Sequence, residues 1–191
     1  MKLVLASASP RRKELLAQIG VQFDVSPVDI CEDVKPGEQP VPYVKRVALA
    51  KAQAGYDKVE QQQAVLGADT TVVLDGNIIG KPQNKTDAVN ILMSLSGRTH
   101  QVITAVAVVC REQIYSCVVT TRVKFRTLSR EECDRYWETG EPTDKAGSYG
   151  IQGLGAIFVD SIEGSYSAVV GLPLSETAEL LKLADVEIWH T

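Results

Sequence analysis

The sequence predicts an α/β fold, a mixed sheet flanked by helices, in one domain or in two small lobes sharing one core. Three observations carry that expectation. The chain opens on a strand–helix–strand pattern. Further on it runs two long strand-like segments, and an Asp-Gly hairpin signal stands between two other strand-like runs. Hydrophobic residues make up 45 % of its 191 residues, and a globular chain of this length typically hides roughly 70 % of its unfolded surface.

The elements follow in order. Residues 3–6 form a short apolar run suited to a buried strand. Ser9 can cap the next helix, Pro10 fits its first position, and Leu15, Leu16 and Ile19 supply its apolar face before Gly20 ends it. A second strand covers residues 22–25. Residues 27–42 hold four prolines and several acids and read as a loop. Val44, Val47 and Ala48 begin a helix to about residue 54, and residues 61–63 form a polar connector. Residues 65–74 are strongly strand-like, and Asp75-Gly76-Asn77 signals a hairpin before Ile78 and Ile79. Residues 87–95 are helical, closed by Gly97. Residues 101–109 and 113–125 read as paired strands. In the second, Val119, Thr121, Val123 and Phe125 alternate with Thr120, Arg122 and Lys124, as on a half-exposed strand. Ser129 and Glu132 make a capping-box pair for a helix to about Thr139. Residues 156–162 and 166–170 read as strands joined around Glu163-Gly164, and residues 173–183 as the last helix.

Composition narrows the function. Twenty Lys and Arg against 24 Asp and Glu give a formal net charge of −4, unlike the basic footprint of a general nucleic-acid binder. The opening apolar stretch is too short for a signal peptide, and Arg11, Arg12, Lys13 and Glu14 follow it at once. No run reaches the roughly 18 apolar residues of a membrane helix, so a cytoplasmic protein is expected. Cys31, Cys110, Cys117 and Cys133 lack Cys-x-x-Cys spacing and read as reduced, idle thiols. His100 and His190 have no triad context, and His100 reads as structural. Trp137 and Trp189 read as packing residues.

Four constellations can carry chemistry. Ser7, Ser9, Arg11 and Arg12 stand between a strand and a helix. Helix-start amides and arginine forks suit phosphate oxygens, and the same residues also fit an ordinary helix start with solvated arginines. Asp69, with Thr70 and Thr71, interrupts an apolar strand. A buried carboxylate needs a metal, a base role or firm hydrogen bonds, whereas a solvent-facing strand end needs none of these. Glu32, an ordinary surface acid by itself, could share a hard divalent ion with Asp69. Lys81 precedes Pro82, which holds its backbone extended. Lys81 and Lys51 are phosphate contacts or plain lysines on these grounds. In residues 144–153, three glycines allow close backbone approach and Gln152 offers both a donor and an acceptor to a base edge. A structural loop would look the same.

Together these segments resemble the Maf family of nucleotide pyrophosphatases, or septum formation proteins. The resemblance lies in Leu-Ala-Ser-Ala-Ser-Pro-Arg-Arg12, the acidic stretch around Glu32, Gly-Ala-Asp-Thr71, Gly-Lys-Pro82, Leu-Ser-Gly97, the run from Asp144 to Gly153, and Val-Val-Gly-Leu-Pro173. They occur in the family's order across nearly the whole chain. The resemblance implies a single domain over residues 1–191, elongated and akin to the inosine-triphosphate pyrophosphatases, with a cleft between lobes. It implies cleavage between the α- and β-phosphates of a nucleoside triphosphate with a divalent cation, Mg²⁺ or Mn²⁺, and it suggests a homodimer. Asp69 stands at the family's general-base position. Arg11, Thr70 and Gln152 match positions that sort subfamilies and resemble the dTTP/UTP type. The 7-methyl-GTP type carries tryptophan in place of Arg11 and an acid in place of Gln152. On this basis Ser7, Arg11, Arg12, Lys51 and Lys81 bind the triphosphate, Glu32 and Asp69 hold the metal, and Thr70 and Gln152 read the pyrimidine. Cys31 stands where an acid is common, and Ala50 where many relatives carry glutamate. A pyrophosphatase for another nucleotide and a nucleotide-sensing septum protein without turnover stand as alternatives.

Overall fold

The computed structural model describes residues 1–59 and 62–189. Gln61 of the expected connector and His190 lie outside them. Among the described residues seven strands form one sheet in the order β2-β1-β3-β5-β6-β7, with β4 paired to β3. They are β1 (Lys2–Leu5), β2 (Phe23–Val25), β3 (Gln63–Leu74), β4 (Asn77–Ile79), β5 (Thr99–Cys110), β6 (Gln113–Phe125) and β7 (Val159–Glu163). The helices are α1 (Pro10–Gln18), α2 (Pro40–Tyr56), α3 (Lys85–Leu95), α4 (Arg130–Trp137), α5 (Tyr166–Val170) and α6 (Leu174–Leu183). Among the described residues no helix is long and apolar enough to cross a membrane.

The chain divides into two compact units. The first comprises Met1–Asp69, Thr104–Val119 and the chain from Gly171 onward. In it β1 runs parallel to β2 and to β3, with Leu3, Val4 and Leu5 opposite Ala64, Val65 and Leu66. These three β1 residues are buried, as a strand covered on both faces requires. The helix α2 lies against β3 at very short range. A Cβ at Gly67 would overlap the Ala48 carbonyl oxygen and the Ala52 amide nitrogen, so only glycine permits this approach.

The second unit comprises Thr70–Ile103 and Thr120–Val170. Asp75 and Gly76 both have positive φ, at 51° and 79°, as the tight turn between β3 and β4 requires. Phe125, Phe158, Tyr136, Tyr149 and His100 form an aromatic cluster with edge-on contacts, among them Phe125–Tyr149 at 4.7 Å and Tyr136–Phe158 at 4.9 Å. On β6, Thr121, Val123 and Phe125 are buried while Thr120, Arg122 and Lys124 face outward, as the alternation predicts. Ser129 and Glu132 form the complete capping box at α4.

Four expectations are corrected. Helix α2 starts at Pro40, inside the expected loop, because proline is tolerated in a first turn whose N–H groups have no helical partner. Residues 156–162 are not one strand: Leu154–Phe158 is 3₁₀-helical and only Val159–Glu163 is extended. Residues 166–170 are helical, because the Ser165 hydroxyl accepts from the Ala168 amide at 3.2 Å and caps the turn. Trp189 does not pack; it is 76 % exposed.

Candidate active site

In the first unit, Ser7, Arg12, Glu32, Lys51 and Asp69 come together beyond the carboxyl ends of β1 and of the part of β3 that pairs with it. Open α/β sheets bind ligands at such strand ends. The Ala6 amide donates to the Leu66 carbonyl at 2.9 Å, which fixes the exit of β1 beside β3. Ser7 leaves β1 there and is buried. Its hydroxyl accepts from the Ser9 amide at 3.2 Å and from Arg12 Nη1 at 3.3 Å. Arg12 Nε also donates to the Gly171 carbonyl at 2.9 Å, so the guanidinium is held from two sides. Ser9 occupies the N-cap position of α1, but its side chain makes no capping hydrogen bond.

Asp69 is 6 % exposed and Lys51 8 %. Lys51 Nζ stands 2.9 Å from Asp69 Oδ1 and 3.0 Å from a Glu32 carboxylate oxygen. One ammonium therefore joins two carboxylates contributed by a loop and a strand. The short approach at Gly67 is what lets a helix residue and a strand residue meet in this way. Burial raises the proton affinity of Asp69 above the usual carboxylate range, and Lys51 and Arg12 only partly offset it. Burial likewise lowers the Arg12 guanidinium, against the pull of Asp69 and with the push of Arg11. Arg11 sits half-buried in the first turn of α1.

Sequence reasoning did not single out the residues that hold the acidic loop. The Tyr43 hydroxyl donates to the Glu32 carbonyl at 3.0 Å. Burial, and then Asp69 and Glu32, push the Tyr43 phenol up to about 12. Arg46 grips both Glu38 carboxylate oxygens at 2.7 Å and the Asp33 carbonyl at 2.9 Å. Tyr43, Arg46 and Lys51 recur along α2 over just more than two turns, a spacing visible in the sequence once the helix is extended to Pro40. Cys31, in its exposed place, reaches Asp33 Oδ2 at 3.5 Å. Lys51 has its ion pairs although Ala50 precedes it.

The remaining candidates belong to the second unit. Thr70 follows Asp69 on β3 and is half-buried. Lys81 is exposed; the carbonyl of the preceding Gly80 accepts from the Gly147 amide at 3.1 Å, so this stretch abuts the glycine-rich loop. Gln152 is exposed on that loop. His100 is buried, with Nε2 2.8 Å from the Tyr149 hydroxyl, in keeping with a structural role. The four cysteines are free thiols. Among the described residues no group of three or more His, Cys, Asp or Glu side chains is suited to a metal ion, so Glu32 and Asp69 stand as a pair.

A family model described as Maf-like protein matches residues 2–184. The chain is 56 % identical over 182 residues to the dTTP/UTP pyrophosphatase of Vibrio parahaemolyticus, covering 95 % of this chain and 96 % of that one. It is 58 % identical over 180 residues to the dTTP/UTP pyrophosphatase of Vibrio vulnificus, covering 94 % and 97 %. Among solved structures, a nucleoside-triphosphatase / dITP/XTP pyrophosphatase from Mycobacterium abscessus aligns with a TM-score of 0.47 and 16 % identity, over 97 % of this chain and 96 % of that one.

Proposed function

The chain belongs to the Maf family, and from that premise we propose that it hydrolyses dTTP and UTP to the nucleoside monophosphate and pyrophosphate. The observation that carries the reading is the Lys51 ammonium shared by Asp69 and Glu32, with Arg12 held beside them. The names of the two Vibrio relatives supply the substrate class.

Water attacks the α-phosphorus, Asp69 accepts its proton, and the bond to the bridging oxygen breaks with its electron pair leaving on pyrophosphate. A carboxylate with raised proton affinity suits that task, since a general base works best when its affinity approaches the working pH. Arg11, Arg12, Lys51 and Lys81 offset the charge that gathers on the phosphate oxygens, and Ser7 keeps Arg12 aimed. Thr70 and Gln152 meet the pyrimidine.

Glu32 and Asp69 fit a hard divalent ion, Mg²⁺ or Mn²⁺. Both are oxygen donors, and they already share one cationic group. Such ions keep several waters and substrate phosphate oxygens as ligands, so two protein carboxylates suffice. Bound there, the ion would supply positive charge to the phosphate oxygens. A single functional domain over residues 1–191, a cytoplasmic location and a homodimer belong to the same reading; the family match across 2–184 supports the first.

Timed pyrophosphate release from dTTP, UTP, CTP and 7-methyl-GTP, with Mg²⁺ or Mn²⁺, tests the assignment. Fast release from dTTP and UTP is expected. A marked preference for 7-methyl-GTP would overturn the pyrimidine assignment, and nucleotide binding without pyrophosphate release would overturn the enzyme.

A further inference from the structure

Glu141, which opens the 3₁₀ segment Glu141–Asp144, stands apart from the proposed reaction and yet gathers an unusual set of donors. Its Oε1 accepts from the Tyr136 hydroxyl at 2.6 Å and from the Gly155 amide at 3.0 Å. Its Oε2 accepts from the Leu154 amide at 2.7 Å. The Tyr136 hydroxyl in turn accepts from the Gly150 amide at 3.2 Å. Backbone amides from both sides of Gln152 thus converge, directly or through one phenol, on a single carboxylate.

The glycines of the loop answer to the same carboxylate. A Cβ at Gly153 would overlap Glu141 Oε2. A Cβ at Gly150 would stand 3.1 Å from Glu141 Oε1 and 2.8 Å from Lys145 Cε, and one at Gly155 would stand 2.7 Å from the Tyr136 hydroxyl oxygen. Lys145 Nζ closes the far side by donating to the Glu141 carbonyl at 2.7 Å. The loop therefore wraps an anion supplied by the protein itself. Burial opposes the charge of Glu141, but the Tyr136, Gly155 and Leu154 hydrogen bonds outweigh it and hold the carboxyl below its usual value.

We infer that Glu141, with Tyr136, is a positioning residue for nucleotide selectivity, the template on which residues 150–155 are shaped so that Gln152 is presented to the base. The inference rests on the reading that Gln152 meets the pyrimidine. Losing one acceptor leaves an amide of the loop unpaired and frees the backbone on either side of Gln152. The consequence falls on base recognition, not on the chemistry at phosphorus.

The test measures kcat and KM for UTP and CTP in the wild type, Glu141→Gln, Tyr136→Phe, Gln152→Ala and the double variant Glu141→Gln/Gln152→Ala. Glu141→Gln is expected to raise KM for UTP about tenfold, with kcat changed far less, and to shrink the UTP-over-CTP preference. Tyr136→Phe should move the same quantities in the same direction by less, and it decides the matter if Glu141→Gln does not fold. On the Gln152→Ala background, Glu141→Gln should leave the remaining preference unchanged, because both act through one contact. Equal losses for both nucleotides, or additive effects in the double variant, overturn the inference. If Gln152→Ala leaves the preference intact, the reading of Gln152 itself has failed, an outcome distinct from Gln152→Ala acting and Glu141→Gln not.

Discussion

Asp69 lies where burial favours the neutral acid, and Lys51 is the group that keeps an anion acceptable there. Breaking a buried ion pair by removing one partner typically costs about 3–5 kcal/mol, because the other charge is left uncompensated. Lys51→Met should therefore destabilise the protein by about that much at alkaline pH. The native carboxyl of the variant then has a still higher proton affinity than in the unfolded chain. The native state binds the extra proton, so stability falls as pH rises through that window. The deficit should shrink when urea melts are repeated near pH 5, and a loss that ignores pH would contradict the assignment. In the wild type the same raised affinity predicts that kcat/KM declines as pH drops through the Asp69 titration. A rate flat down to the ordinary carboxylate range would contradict the base role.

At the level of elements, the contact of α2 with β3 decides whether Lys51 can reach Asp69. Gly67→Ala forces a methyl into the Ala48 carbonyl and the Ala52 amide, which must move apart. Overpacking of this kind costs about 1–3 kcal/mol, and turnover should fall further than stability because the pair is pried open. A thermal melt beside a turnover assay checks this; full turnover in Gly67→Ala would show that the close approach does not set the pair. Asn84 caps α3 by accepting from the Asp87 amide at 3.0 Å, so Asn84→Ala should cost about 1 kcal/mol in the same melts. Much of this architecture was legible. The alternation of β6, the Asp75-Gly76 turn and the Ser129–Glu132 box each follow from a local rule that no distant contact opposes. Residues 156–158 and 166–170 were not, because their apolar and β-branched content suits several states. Glu141 draws the Leu154 and Gly155 amides away from strand pairing, and Ser165 starts a helix where Tyr166, Val169 and Val170 suggest a strand. Asp69 and Lys51 could each be singled out from sequence. So could a pairing of Glu32 with Asp69; that Lys51 bridges the two carboxylates could not, since a loop acid carries no mark of the helix residues that hold it.

The molecule as a whole has a buried weak point toward acid. Burial lowers His100 from its usual value to about 4. The unfolded chain takes up that proton near pH 6.5 and the native chain does not, so stability is lost as pH falls from about 6.5 toward 4. A shift of this size corresponds to about 3 kcal/mol. His100→Gln should flatten the stability curve in that window, and parallel curves for the two proteins would show that His100 does not set the acid limb. In the proposed reaction the Lys51-bridged Asp69 carboxylate takes the proton of the attacking water. Asp69→Asn keeps the shape of the side chain while removing its capacity to take a proton. Binding of dTTP and release of pyrophosphate should be measured on the same preparation. In Asp69→Asn, dTTP should still bind while turnover falls by at least about a hundredfold. Turnover within a few-fold of the wild type would rule out Asp69 as the base.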